Sequence, residues 1–161
     1  MSLDSSLDAP ARTIATLEVA TLTVDMPIEE AARLIANNGV SGMPVVDAGN
    51  ALVGVVSLTD FVVLFAGQAA TDARDPDESV FYDSVALGRL ALSLVPSAEG
   101  AGRRVRDIMS ARLLTAHPDD SVRQVARAMA AHRVHRVLLV DDDGALVGIV
   151  SALDVVSLLG E

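Results

Sequence analysis

The chain writes one stretch twice, and that duplication constrains its fold more than any other feature. Gly54-Val55-Val56-Ser57-Leu58-Thr59-Asp60 returns 94 residues later as Gly148-Ile149-Val150-Ser151-Ala152-Leu153-Asp154. The same offset aligns residues 12–64 with 106–158 without a gap. Of these 53 pairs, 19 are identical, among them Thr21/Thr115, Asp25/Asp119, Val40/Val134, Asp47/Asp141 and Asp60/Asp154. A unit this long exceeds a solenoid repeat and fits a duplicated subdomain.

Each copy of the motif ends an apolar, β-branched run and sets Ser and Asp three apart before another apolar stretch. That pattern is a strand meeting a helix, with Ser as N-cap and Asp at the third helical position. A single S-x-x-D reads as a capping box. Two in one register point as well to a shared site.

The rest of each copy can be read around that corner. Residues 17–24 read as a strand containing Thr21, and Pro27 opens a helix whose Ile28, Ala31, Ala32 and Ile35 form one apolar stripe, stopped at Asn38-Gly39. Strands over 43–46 and 52–56 flank a turn at 47–50, and 58–65 is the closing helix. The second copy repeats the order: a strand over 113–116, a helix with Val122, Val125, Ala126 and Met129 on one face, strands over 137–140 and 146–150, and a helix over 154–159. The expected fold is α/β, two β-α-β-β-α repeats related by pseudo-two-fold symmetry. Its parts are a loose segment 1–11, a first repeat 12–66, a connection 67–104 with an acidic stretch 72–78 and a helix within 80–95, and a second repeat 105–161.

Composition narrows the function. Cysteine is absent, which removes disulfides, thiolate nucleophiles and thiolate metal sites. All twelve basic residues are Arg, which excludes a Walker-type P-loop and a Schiff-base lysine. The net charge of −10 makes nucleic acid an unexpected partner. Residues 51–67 are apolar but fall short of the ~20 needed to span a membrane, and Asp60 interrupts them. With no basic-then-apolar leader at the N-terminus, a soluble, cytoplasmic chain is expected. No G-x-S-x-G elbow accompanies Ser57, so an enzyme is not expected. Asp142-Asp143-Gly144 lacks the alternating ligands and distal Glu of a calcium loop and reads as a solvated turn. His117, His132 and His135 read as loop or helix-end histidines rather than metal ligands.

The tandem β-α-β-β-α unit closed by G-h-h-S/T-x-x-D resembles the cystathionine β-synthase (CBS) domain pair. Val105-Arg106-Asp107-Ile108-Met109 and the run from His135 to Asp141 are similar to that family as well. The resemblance implies a regulatory module that binds an adenosyl ligand in clefts between the copies and signals to a separate protein. It implies that Asp60 and Asp154 meet ribose hydroxyls and that Ser57 and Ser151 touch phosphate or ribose. Thr21 and Thr115, with Val40, Gly42 and Pro44 in the first copy and Val134, His135, Arg136 and Val137 in the second, would line the adenine and phosphate.

The chemistry agrees: a carboxylate accepts from two vicinal hydroxyls, and the Arg136 guanidinium is a planar fork suited to phosphate oxygens. The copies differ here, since Arg133, His135 and Arg136 replace Gly39, Ser41 and Gly42. An adenine nucleotide (AMP, ADP or ATP) is the expected regulatory ligand, with no cofactor or metal required. S-adenosylmethionine and a purely structural dimerisation module are the alternatives, and pairs of this family commonly form homodimers.

Overall fold

The stripe at Ile28, Ala31, Ala32 and Ile35 becomes the buried face of a helix, with all four side chains excluded from solvent. The computed structural model describes residues 3–66, 101–158 and 160. Its elements run α1 (Leu3–Leu7), β1 (Leu22–Thr23), α2 (Ile28–Asn37), β2 (Gly42–Val46), β3 (Leu52–Ser57), α3 (Leu58–Ala66), α4 (Val105–Ile108), β4 (Thr115–Ala116), α5 (Val122–His132), β5 (Arg136–Val140), β6 (Leu146–Ser151) and α6 (Ala152–Ser157). The acidic stretch 72–78 and the helix expected within 80–95 lie outside the described residues.

The α/β architecture of two like copies is present as two three-stranded sheets, ordered β1-β2-β3 and β4-β5-β6. The first strand of each copy runs parallel to its neighbour, with Leu22 opposite Val45 and Thr115 opposite Leu138. β5 and β6 are antiparallel and set Arg136 opposite Ser151 and Val137 opposite Val150.

Each copy's first strand is shorter than its composition suggests. Over 17–24 only Leu22 and Thr23 are paired, and Leu17 is 61% exposed. A strand exists only where a partner edge meets it, and β1 pairs with β2 at Val45 and Val46 alone. The closing helix of the second copy starts at Ala152, directly after Ser151, rather than at 154.

The chain divides into two compact units, each assembled from separated stretches. One comprises Thr21–Asp47 and Val53–Arg112; the other comprises Met1–Ala20, Ala48–Leu52 and Leu113–Glu161. The first unit's core holds Leu22, Ile35, Val45, Val56 and Phe61 of the first copy together with Val105 from the stretch that leads into the second. The other unit's core holds Val125, Met129, Val137, Leu139 and Val150 together with Ala11 from the chain's beginning. Each copy is therefore completed by the other copy's lead-in.

The two lead-ins dock in the same way. In the first unit the amides of Val105 and Arg106 donate to the carbonyls of Met26 and Val24, and the Ile28 amide donates to the Arg103 carbonyl. In the other, Ala11 and Arg12 donate to Asp120 and Pro118, and Val122 donates to Ala9. The opening amides of α2 and α5, Ile28 and Val122, which lack partners inside their helices, thus find carbonyls on the lead-ins. Farther along, Ser110 and Val55 exchange both backbone bonds at 2.9 Å, and Thr16 and Ile149 do so at 2.9 and 3.0 Å. Arg106 pairs with Asp25 at 2.6 Å, and Arg12 pairs with Asp119.

Within residues 3–11, read from sequence as loose, Leu3–Leu7 form α1. α1 is fixed to α5 by Arg123, which reaches Asp8 at 3.0 Å and Asp4 at 3.1 Å. Hydrogen bonds to Asp8 and then Asp4 raise the Arg123 guanidinium above its ordinary pKa. The sequence carried no sign of this, because the acids and their Arg lie more than a hundred positions apart.

Candidate functional site

The site residues are organised by the two strand-to-helix corners. At the first, the Ser57 amide and hydroxyl donate to Asp60 Oδ2 at 2.6 and 3.0 Å. At the second, the Ser151 amide and hydroxyl both donate to Asp154 Oδ2 at 2.7 Å, and the Asp154 amide donates back to Ser151 Oγ at 3.2 Å. The second capping box is thus complete in both directions, and at the first the bonds from Ser57 to Asp60 are formed. A carboxylate has two oxygens, however, and the box uses one. Among the described residues no bond ends on Asp154 Oδ1. Capping therefore orients the carboxylate without exhausting it.

The strands place the remaining residues beside these corners, unit by unit. Gly42 opens β2 directly against the first corner: a Cβ there would lie 2.9 Å from the Val56 carbonyl oxygen and 3.3 Å from Ser57 Cα. Close backbone approach requires glycine at this point. The Ser41 carbonyl accepts from the Leu58 amide at 2.9 Å, tying the turn before β2 to the start of α3. Val40 is half-buried just after the helix stop at Gly39, whose φ is +62°. Pro44 is buried in β2, and Thr21, half-buried, directly precedes β1.

The second corner repeats the scaffold with different side chains. The His135 carbonyl accepts from the Ala152 amide at 2.8 Å, as Ser41 does in the first copy. Arg136, exposed, stands where Gly42 stands in the first copy and is directly opposite Ser151. Val137 is fully buried and anchors β5 to the core, and Val134 is half-buried after the helix end. Thr115 is exposed at the start of β4. Arg133 closes α5 in the left-handed region, with φ of 52° and ψ of 45°. This is the position of Gly39, and a non-glycine residue held there is strained. The second corner is thus flanked by Arg133, His135 and Arg136, and the first by Gly39, Ser41 and Gly42.

The other polar groups singled out in the sequence have local structural roles. Asp141 Oδ1 accepts from the amides of Asp143 and Ala145 at 3.0 and 2.9 Å, which closes the aspartate-rich turn on itself. His117 Nδ1 accepts from the Asp119 amide at 3.2 Å. Among the described residues no group of three or more His, Asp or Glu could hold a metal ion. No helix among them is long and apolar enough to cross a membrane.

Sequence reasoning did not single out Thr16 and Ser110, which pair with the strands leading into the two corners. Their signal was available: Thr16 and Ser110 occupy the same position in the 94-residue alignment.

Two β-α-β-β-α copies, each closed by a Ser–Asp box at a strand-to-helix corner, define a tandem α/β module. The CBS domain matches this chain twice, at residues 11–67 and 105–161, and the chain belongs to the CBS domain family. An uncharacterized protein of Methanocaldococcus jannaschii, MJ1426, is 28% identical over 144 residues, covering 84% of this chain and 82% of that protein. Three other relatives are matched over only 36%, 22% and 21% of their own lengths. Among solved structures, CBSX2 (a chloroplastic protein of Arabidopsis thaliana), crystallised in complex with AMP, has the same fold. Its TM-score is 0.68 at 22% identity, covering 94% of this chain and 96% of that one. The CBS domain pair of protein MJ0100, in complex with 5-methylthioadenosine and S-adenosyl-L-methionine, has a TM-score of 0.63 at 24% identity, covering 94% and 99%.

Proposed function

We propose that this chain is a regulatory module that binds an adenine nucleotide, AMP, ADP or ATP, at its Ser–Asp corners and passes the binding event to a separate protein. The observation that carries this reading is the second corner, where capping fixes the Asp154 carboxylate through Oδ2 and leaves Oδ1 to meet a sugar hydroxyl. Arg136, opposite Ser151, supplies the cationic fork that a phosphate needs. Thr115, Val134, His135 and Val137 would complete that site. Thr21, Val40, Gly42, Pro44, Ser57 and Asp60 would form its counterpart in the first copy, which lacks the Arg and suits a less anionic ligand. The AMP and S-adenosylmethionine complexes of similarly folded proteins support an adenosyl ligand class.

S-adenosylmethionine is the second reading: its adenosine would meet the same carboxylates, but its sulfonium would gain nothing from Arg136. Homodimerisation is part of the proposal, supported by Leu153 and Val156 of α6, which are 72% and 55% exposed. Calorimetry with AMP, ATP and S-adenosylmethionine on the wild type and on Asp154→Ala tests the site. Nucleotide heats that vanish in the variant are expected. Equal heats in both proteins would rule the corner out, and no heat with any of the three would leave the dimerising scaffold.

A further inference from the structure

The strands that carry the two Ser–Asp corners are each paired on one side by the lead-in of the opposite copy. Thr16 bridges Ile149, two residues before Ser151, and Ser110 bridges Val55, two residues before Ser57. The contact is close along the strand as well as at the bridge. A Cβ on Gly148 would meet Leu17 Cδ2 and the Thr16 carbonyl oxygen at 3.3 Å and Ala15 Cβ at 3.4 Å. One on Gly54 would meet Met109 Sδ at 2.9 Å and the Ser110 carbonyl oxygen at 3.1 Å. Five residues after its bridge, each lead-in reaches the threonine that opens its own copy, Thr21 or Thr115. The lead-in is thus pinned to one corner's strand and continues into the other copy's first strand.

Each lead-in adds one fully buried side chain to its core, Ala11 or Val105, with Ile14 and Ala15 or Ile108 and Met109 only partly buried against it. The rest of its attachment is backbone bonding at the surface, and Thr16 and Leu17 are exposed. Surface segments with solvent-exposed backbone bonds open locally at lower cost than the core, and ligand-linked motion is drawn from such elements.

We infer that the exchanged lead-ins couple the two halves, resting on the adenosyl-binding reading above. Ligand held at the Ser151–Asp154 corner tightens residues 9–16, the lead-in of the first copy, and ligand at Ser57–Asp60 tightens residues 103–110. Because linkage is reciprocal, loosening a lead-in weakens binding at the opposite copy's corner. The coupling is crossed: the segment that responds belongs to the copy that does not own the corner.

Hydrogen exchange on the full chain with and without AMP, and separately with S-adenosylmethionine, tests this alongside calorimetry. If opening of the lead-in abolishes binding, ligand at ten times its Kd slows exchange in residues 9–16 by about tenfold. Asp154→Asn removes that protection while leaving any protection of 103–110. Thr16→Pro, which lacks the amide that donates to Ile149, and the milder Gly148→Ala weaken binding at the second corner by about fivefold or more. Ligand binding with unchanged lead-in exchange overturns the coupling and leaves the binding site standing. Protection of both lead-ins that persists in Asp154→Asn also overturns it, as general stiffening. No heat with either ligand removes the binding reading and the coupling together.

Discussion

Asp154 meets Ser151 through a single oxygen, with the serine amide and hydroxyl both 2.7 Å from Oδ2. Structure and recognition can therefore be separated by substitution. Asp154→Ala removes the carboxylate half of the capping box, leaving the Ser151 cap, and is expected to cost about 1 kcal/mol of stability. Asp154→Asn keeps one acceptor oxygen for the serine and is expected to cost less than half as much, yet it loses the charged second acceptor that a sugar diol would use. Chemical denaturation and calorimetry on the pair check both expectations. Full nucleotide affinity in Asp154→Asn would count against the carboxylate as a ligand.

The two glycines where the lead-ins cross the corner strands predict an order of stabilities. At Gly54 the neighbours of an added Cβ include the Ser110 carbonyl, a backbone atom that cannot swing aside, and Gly54→Ala is expected to cost about 1–3 kcal/mol. At Gly148 the contacts are looser and one belongs to the exposed Leu17, so Gly148→Ala should cost clearly less. Adding Met109→Ala to Gly54→Ala relieves the sulfur but not the carbonyl, so rescue should be incomplete. Urea unfolding of the three variants reads this order directly.

Arg133 holds a left-handed conformation where the first copy has Gly39. Strain relieved in the folded chain outweighs entropy gained by the unfolded one, so Arg133→Gly should stabilise the protein by about 0.5–1 kcal/mol. Nucleotide affinity should fall if the arginine lies near the phosphate. A variant that is more stable but binds less well would mark Arg133 as a residue kept for binding rather than folding.

The ion pairs of α1 are on the surface, and their contribution should be correspondingly small. Arg123→Ala is expected to speed hydrogen exchange across residues 4–8 while leaving global stability nearly unchanged. Raising the salt concentration should reproduce part of the effect in the wild type. A large global loss would mean that Arg123 contributes chiefly through packing.

The duplication was legible as a constant 94-residue offset, and the element order, the buried faces of α2 and α5 and the two Ser–Asp corners were legible because each rests on local spacing. Val122, Val125 and Met129 are buried as their spacing requires. What escaped depends on partners distant in the chain. Strand-like composition over 17–24 says nothing about how many partner residues β2 offers. Aligned copies place Arg12 with Arg106 and Asp25 with Asp119, but a perfect repeat fits either pairing within a copy or pairing between copies. The structure selects the second, Arg12 with Asp119 and Arg106 with Asp25. The candidate site was legible as two corners, whereas the strand pairing of those corners by Thr16 and Ser110 was not.

The trading of opening segments has a consequence for how such a chain can be divided. Severing the polypeptide midway would not yield two working halves, since each piece would carry the closing latch of its twin and lack its own. The boundary between the units therefore does not coincide with any single cut in the sequence.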